Sequence, residues 1–313
     1  MKCRPLIVIA CMLLVCSCAH IEIADVRPGA GQRFYYSETD FLNYEAVGEG
    51  PITLLFLHGF GGSLRTWDDV LACIPGDRFT SYLLDLKGFG LSSKPRDALY
   101  SIGDNAGLVC RFIMEKKLEK VVLVGHSMGG AVALAVAVES LDNNLPDPAA
   151  MVLIDPAAYK TRPPFFVRFS RIPVVGTLLL SLPGSEFKAR FVLKRIIYDR
   201  HKVTDMLVER YAAFMDDDGF GYALHKTSAH LIADDYARYT GSYGRIPYPV
   251  LVIWGAEDPA IPLDSGEQLV SDLPQAKLHV IEQCGHNPHE EFPEEVAALI
   301  MSAAAEALKV EYP

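Results

Sequence analysis

Basic residues are in short supply in this sequence: 29 Lys and Arg stand against 39 Asp and Glu, a formal net charge of −10. A surface of that sign repels a phosphate backbone, and no cluster of Lys or Arg interleaved with aromatics offsets it, so nucleic acid is excluded as a partner. A metal-binding pattern is missing too. The nearest approach is His286-Asn287-Pro288-His289-Glu290-Glu291, but its proline interrupts the helix that a pair of zinc-binding histidines would need, and the order is not His-Glu-x-x-His. No metal and no cofactor is expected. Internal repeats and low-complexity tracts are absent as well. Beyond the N-terminus cysteine is sparse: Cys73, Cys110 and Cys284 form an odd set that cannot pair completely, and each reads as a small buried hydrophobe. At 313 residues the chain can bury roughly 75% of its unfolded surface, enough for a core without disulfide staples.

The apolar run at the N-terminus, Leu6 to Val15, is too short to span a bilayer, and Lys2 and Arg4 precede it as a short positive region. Residues 1–17 therefore read as an export signal, to be kept out of the fold. The segment Val15-Cys16-Ser17-Cys18 resembles a bacterial lipoprotein box, which implies that Cys18 becomes the lipidated first residue of the mature chain. Ordinary signal-peptide cleavage and an uncleaved anchor are the alternatives. The lipoprotein reading places the protein in the cell envelope, held to a bacterial membrane and facing the periplasm or the exterior. Each buried methylene of an acyl chain contributes ~0.8 kcal/mol, so a few chains hold a soluble domain at a membrane without a spanning helix.

What the sequence does contain is a recurring alternation. Short apolar strand candidates at Ile52 to Leu57, Tyr82 to Leu86, Val121 to Val124, Met151 to Ile154, Val250 to Trp254 and Leu278 to Ile281 are separated by helical stretches. Such alternation predicts a parallel sheet with helices on both faces. Two earlier segments, Arg33 to Ser37 and Phe41 to Val47, flank Glu38-Thr39-Asp40 and predict an antiparallel pair leading in, for about eight strands. Residues 157–246 differ in character. They hold no convincing core strand but carry helical patterns at Phe187 to Tyr198, Thr204 to Met215 and Tyr222 to Tyr239, and they read as a helical cap inserted into a core domain of residues 18–156 and 247–313. The first part of the cap, Phe165 through Leu180, is apolar enough to line a pocket or touch lipid, or simply to pack on the main domain.

The chemistry centres on Ser127, in Val121-Val122-Leu123-Val124-Gly125-His126-Ser127-Met128-Gly129-Gly130. An apolar strand ends in Gly-x-Ser-x-Gly and passes at once into the alanine-rich stretch Ala131 to Val138, which predicts a tight strand-to-helix turn. A serine between glycines on such a turn is pushed out of the backbone envelope and sits near the unpaired N–H groups of a helix N-terminus. A serine hydroxyl needs a base, and the base needs an acid to hold its tautomer. Both follow downstream: Asp258, in Gly255-Ala256-Glu257-Asp258-Pro259 after the strand ending at Trp254, and His286, in Cys284-Gly285-His286 after the strand ending at Ile281. The order Ser, Asp, His, each just past the carboxyl end of a strand, is that of a triad on an open α/β sheet.

On these motifs the chain resembles the α/β-hydrolase superfamily over about residues 31 to 310. His58-Gly59-Phe60-Gly61-Gly62 is similar to the family's oxyanion loop, and Asp85-Leu86-Lys87-Gly88-Phe89-Gly90-Leu91-Ser92 to its turn after the fourth strand. The resemblance implies an oxyanion hole made by the backbone N–H groups of Phe60 and Met128, two donors worth ~10² to 10³ in rate apiece. Asp155, after the sixth strand, competes with Asp258 as the acid because some members use that place; the pattern Trp254-Gly255-x-x-Asp258-Pro259 favours Asp258. His58 and His126 read as supports of their loops, and His225, His230 and His279 as surface or pocket residues. Glu257 and Asp264 read as solvated neighbours.

A serine at the turn sets aside the dehalogenases and epoxide hydrolases of this fold, which resemble it in cap and sheet but place an aspartate there. The reading preferred is a serine hydrolase of small to medium acyl esters or lipids, with a lid-covered pocket and an acyl-enzyme intermediate. Hydrolases that cleave carbon–carbon bonds in meta-ring-fission products are similar in the Gly-x-Ser-Met-Gly-Gly turn, in Asp258-Pro259-x-Ile261-Pro262-Leu263-Asp264 and in Cys284-Gly285-His286. They usually carry asparagine where this chain has His126 and an aromatic where it has Asn287, and a cap arginine binds their substrate's carboxylate. Arg168, Arg171, Arg190 and Arg195 are available for that role. A cofactor-free perhydrolase or haloperoxidase-like activity, and a silent binding protein on this fold, are the remaining alternatives. Oligomeric state has no signature.

Overall fold

In the computed structural model, residues 31–143, 145–160, 184–231 and 236–309 are described. The export signal, Cys18, the apolar run Phe165 to Leu180, Arg168 and Arg171 all lie outside the described residues. No helix among the described residues is long and apolar enough to cross a membrane.

The apolar runs become eight strands: β1 (Gln32–Tyr35), β2 (Phe41–Val47), β3 (Ile52–Leu57), β4 (Phe79–Leu84), β5 (Val122–His126), β6 (Ala150–Ile154), β7 (Val250–Gly255) and β8 (Ala276–Ile281). They form one sheet in the order β1-β2-β4-β3-β5-β6-β7-β8. The pairs β1–β2 and β2–β4 are antiparallel, and every pair from β4 to β8 is parallel. Strands buried on both faces read as continuous apolar runs, and successive side chains then feed opposite cores. In β3, Leu55 and Leu57 join the core under one face, while Leu54 and Phe56 join the other.

Two expected boundaries shift for visible reasons. β1 ends at Tyr35 rather than Ser37, because Tyr36 and Ser37 N–H donate to the Asp40 carbonyl and the Ser37 hydroxyl accepts from Asp40 N–H, closing a turn. The fourth strand runs over Phe79–Leu84 rather than Tyr82–Leu86. Its polar start, Thr80-Ser81, hid it, yet Phe79 pairs with Ile52 and Ser81 is buried. It stops at Leu84, and two residues on the Leu86 N–H is taken by the His58 ring at 3.0 Å.

Helices cover both faces. On one lie α2 (Ile102–Glu115), started by a capping box between Ser101 and Asp104, and α3 (Met128–Asn143), which is buried nearly all round. That near-complete burial is why α3 is built of alanine and valine: small side chains let the helix lie close against the sheet and its neighbour α2. The other face carries α1 (Asp68–Leu71) and the C-terminal α10 (Pro293–Leu308), whose Val296, Ala297 and Ile300 belong to the same core as Phe56, Val124 and Ile154. Between β6 and β7 the described chain is helical: α4 (Ser185–Ile196), α5 (Asp205–Ala212), α6 (Phe220–His230) and α7 (Tyr236–Thr240). The helical pattern expected over Tyr222 to Tyr239 thus appears as two helices, with residues 232–235 outside the described set. α4 and α5 share a small core of their own around Leu193, Ile196, Leu207 and Val208. After β7 come α8 (Asp264–Asp272) and, after β8, the single turn α9 (Pro288–Glu291).

Candidate active site

Ser127, Asp258 and His286 each sit on the turn that leaves the carboxyl end of a strand: β5, β7 and β8. Ser127 has φ +50°, a conformation non-glycine residues adopt at a cost of about 1 kcal/mol or more. The backbone holds it there. Ser127 N–H donates to the Ile154 carbonyl at 2.9 Å, and its own carbonyl accepts from Ala131 at 3.1 Å and Ala157 at 2.9 Å. The flanking glycines are steric necessities: a Cβ on Gly125 would stand 2.5 Å from the Gly129 carbonyl oxygen, and one on Gly129 would stand 2.1 Å from that of Leu57. Gly129→Ala is therefore expected to destabilise the fold by ~3 kcal/mol or more, because the obstacle is backbone that cannot move aside. A lowered urea midpoint would show it; an unchanged midpoint would refute this account of the glycine.

The three side chains meet. His286 Nε2 lies 3.0 Å from Ser127 Oγ, and His286 Nδ1 lies 2.7 Å from Asp258 Oδ2. Asp258 is aimed by its own turn, since its Oδ1 accepts from Ala260 N–H at 2.6 Å and Ile261 N–H at 3.1 Å. His286 is held through its backbone: its N–H donates to the Ile196 carbonyl at 2.7 Å, and its carbonyl receives His126 Nε2 at 2.8 Å. The Asp258 side chain is fully buried and His286 is 5% exposed, while Ser127 remains half-open. This arrangement can pass a proton from a hydroxyl to an imidazole whose tautomer is dictated from behind.

Asp155, the rival acid, also reaches the group. One of its carboxyl oxygens lies within 4.8 Å of ligand atoms on both Asp258 and His286. Its Oδ1 accepts the Gly255 N–H at 3.0 Å, and its buried Oδ2 has no hydrogen-bond partner among the described residues. Burial, and next the neighbouring Asp258 carboxylate, push the Asp155 carboxyl well above the usual carboxylate range. The histidine bonds to Asp258.

Phe60 and Met128, the expected oxyanion donors, fall on the turn after β3 and at the start of α3. The Gly59–Gly62 turn is closed by Gly62 N–H on the Gly59 carbonyl at 3.1 Å, with Gly61 at φ +76° in its third position. In such a turn the N–H of the second residue takes no part in the closing bond. Met128 begins α3, where an N–H has no partner within the helix. His58 stiffens the loop from beneath. Its Nδ1 donates to the Gly59 carbonyl at 2.8 Å, its Nε2 accepts from Leu86 N–H, and burial lowers its pKa, so it is a neutral strut with both nitrogens engaged. Asp85 does the same for the turn after β4, accepting from Leu64 N–H at 2.7 Å, Leu91 N–H at 2.9 Å and Asn43 Nδ2 at 2.8 Å.

His126 stacks towards both His286 and His289, with ring centroids 5.0 and 4.4 Å away, and burial pushes its pKa well below the ordinary value. His289, fully buried between His126 and Trp67, is pushed down to about 3 by desolvation. A wall of neutral imidazoles thus backs the reactive one. His279 pairs at the surface with Glu295, and Glu257, although exposed, accepts the Cys284 N–H at 3.0 Å.

Sequence reasoning missed the contacts between the helices that follow β6 and the histidine loop. Tyr211 of α5 receives Asn287 Nδ2 at 2.9 Å and bonds Glu290 at 3.2 Å, and burial pushes the Glu290 carboxyl up to about 7. Arg210 forms a bidentate pair with Asp69 at 2.6 and 2.8 Å. The carboxylates of Glu290 and Glu291, part of the rejected metal pattern, bond instead to Tyr211 and to the N–H groups of Tyr198 and Asp199.

A model of the alpha/beta hydrolase family matches residues 54–299. The chain belongs to that family. A 2-hydroxymuconate semialdehyde hydrolase of Pseudomonas sp. strain CF600 is 28% identical over 276 residues, covering 81% of this chain and 87% of the relative. Among solved structures, the meta-cleavage product hydrolase from Pseudomonas fluorescens IP01 superposes with a TM-score of 0.75 at 23% identity, over 89% of this chain and 98% of that one. A thermophilic esterase from Thermogutta terrifontis superposes with a TM-score of 0.73, also at 23% identity, over 88% and 99%. At that identity the two structures establish the alpha/beta hydrolase fold and no more.

Proposed function

We propose that this alpha/beta hydrolase cleaves carboxylic esters of small to medium acyl groups through a covalent acyl-enzyme. The observation that carries the reading is the continuous hydrogen-bonded line from Ser127 Oγ through His286 to Asp258, 3.0 and 2.7 Å long in its two links. Ser127 Oγ attacks the ester carbonyl as its proton passes to His286 Nε2, and the C–O bond to the alcohol breaks as the imidazolium returns that proton to the leaving oxygen. Water then attacks the acyl-enzyme with the same histidine as base, releasing the acid and restoring the serine. The Phe60 and Met128 N–H groups would hold the oxyanion of both tetrahedral intermediates.

Carbon–carbon bond cleavage is the second reading, favoured by the similarity to the 2-hydroxymuconate semialdehyde hydrolase. Against it, of the four candidate arginines Arg190 pairs with Asp205 and Arg195 donates to the Phe191 carbonyl, rather than being held for a substrate carboxylate, while Arg168 and Arg171 lie outside the described residues. A panel of nitrophenyl esters from acetyl to palmitoyl, run beside a dienoic ring-fission product, separates the two. The expected outcome is turnover of the esters, greatest at short to medium chain length, exceeding that of the dienoate. Faster cleavage of the dienoate would overturn the ester reading and leave the serine mechanism in place.

A further inference from the structure

Glu291 is 3% exposed, and its basic neighbour Lys202 donates to its backbone carbonyl rather than bridging to its carboxylate. Its oxygens are spent on backbone. Oε1 accepts Gly285 N–H at 2.8 Å, and Oε2 accepts Tyr198 N–H at 3.0 Å and Asp199 N–H at 3.2 Å. Cys284 Sγ approaches Oε1 at 3.9 Å, and the Glu291 carbonyl receives Lys202 Nζ. A carboxylate is removed from water only when its lone pairs are met by donors, and charge-assisted N–H bonds are about twice as strong as neutral ones.

These donors come from two places that matter. Gly285 immediately precedes His286, and Tyr198 and Asp199 follow the end of α4. The same two segments are laced a second time by the bond from His286 N–H to the Ile196 carbonyl. They touch so closely that a Cβ on Gly285 would stand 2.1 Å from the Ile196 carbonyl oxygen. The carboxylate thus bridges the loop that carries the base and the chain that leaves the first described cap helix.

We propose that Glu291 is a positioning residue for His286: it clamps the Cys284–His286 turn to the end of α4, so that a seated cap is what holds the imidazole between Ser127 and Asp258. The inference rests on the reading of His286 as the base. A misplacement of about 1 Å in such a group can cost ~10² in rate. In E291Q one oxygen becomes an NH2 group, which must face N–H donors on one side or the other, so one arm of the clamp opens.

The test is steady-state kinetics of E291Q on a nitrophenyl ester, with S127A beside it. A kcat lowered ~10- to 100-fold, with KM within about twofold and an unchanged circular dichroism spectrum, supports the clamp. A folded E291Q with kcat within twofold of the parent, while S127A is inactive, overturns the clamp alone; an active S127A overturns the triad reading instead. Should E291Q not fold, amide exchange in the unaltered protein decides. The Gly285, Tyr198 and Asp199 amides are expected to exchange together, ~10³-fold slower than free peptide or more, and exchange of Gly285 at the free-peptide rate overturns the proposal.

Discussion

Ser127→Ala is expected to lower turnover of a nitrophenyl ester by ~10⁶, with His286→Ala lowering it by a similar factor. The size follows from the geometry. With Oγ gone, the imidazole 3.0 Å away has no proton to take, and no nucleophile of the protein stands in its place. Loss of the imidazole alone leaves a hydroxyl that is a poor nucleophile at neutral pH. Because the two groups act as one unit, the double variant should be about as slow as either single variant, with a residue of ~10³ to 10⁴ over water from binding and the backbone donors. Fluorophosphonate labelling gives the same answer without a known substrate: the parent should take up one probe at Ser127, and S127A none. Turnover by S127A within tenfold of the parent would remove the mechanism altogether.

The strands were legible because a parallel sheet covered on both faces leaves each strand a short apolar run ended by a turn signal. β4 was displaced for the converse reason: Ser81 is buried through sheet pairing with Leu54, and nothing in a hydroxyl announces that. Ser127 could be read because the turn that exposes it demands glycine at fixed offsets, and the obstacles to a Cβ at Gly125 and Gly129 show why. Asp258 and His286 could be read because each follows a strand. The proposed oxyanion donors are backbone atoms, so their residue types carry no information and only the resemblance points to them. Glu291 was hidden differently. In Glu290-Glu291 after a proline, an acidic pair looks like the solvated first turn of a helix, and two of the three N–H donors to Glu291 come from residues 198 and 199, far away in the chain.

Asp258→Asn is expected to cost ~10⁴ in kcat, and Asp155→Asn less than tenfold, although the two carboxyls lie side by side. The difference comes from what each carboxyl does with its oxygens. In Asp258, Oδ1 is fixed by the N–H groups of Ala260 and Ile261, so an asparagine must keep its carbonyl oxygen there and turn its NH2 towards His286. That NH2 is a donor facing Nδ1, which must then become an acceptor; the proton moves to Nε2, and the imidazole can no longer accept one from Ser127. Asp155 stands differently. Burial, and next the Asp258 charge, push its pKa well above the usual carboxylate range, and of its two oxygens Oδ1 accepts the Gly255 N–H while Oδ2 has no hydrogen-bond partner among the described residues. An asparagine keeps its oxygen on Gly255 N–H, places its NH2 where Oδ2 stands, and leaves the bond between Asp258 and His286 in place. Measuring kcat for the two single variants on one ester decides the matter, and a crippled D155N beside a nearly intact D258N would transfer the role of acid from the turn after β7 to the turn after β6.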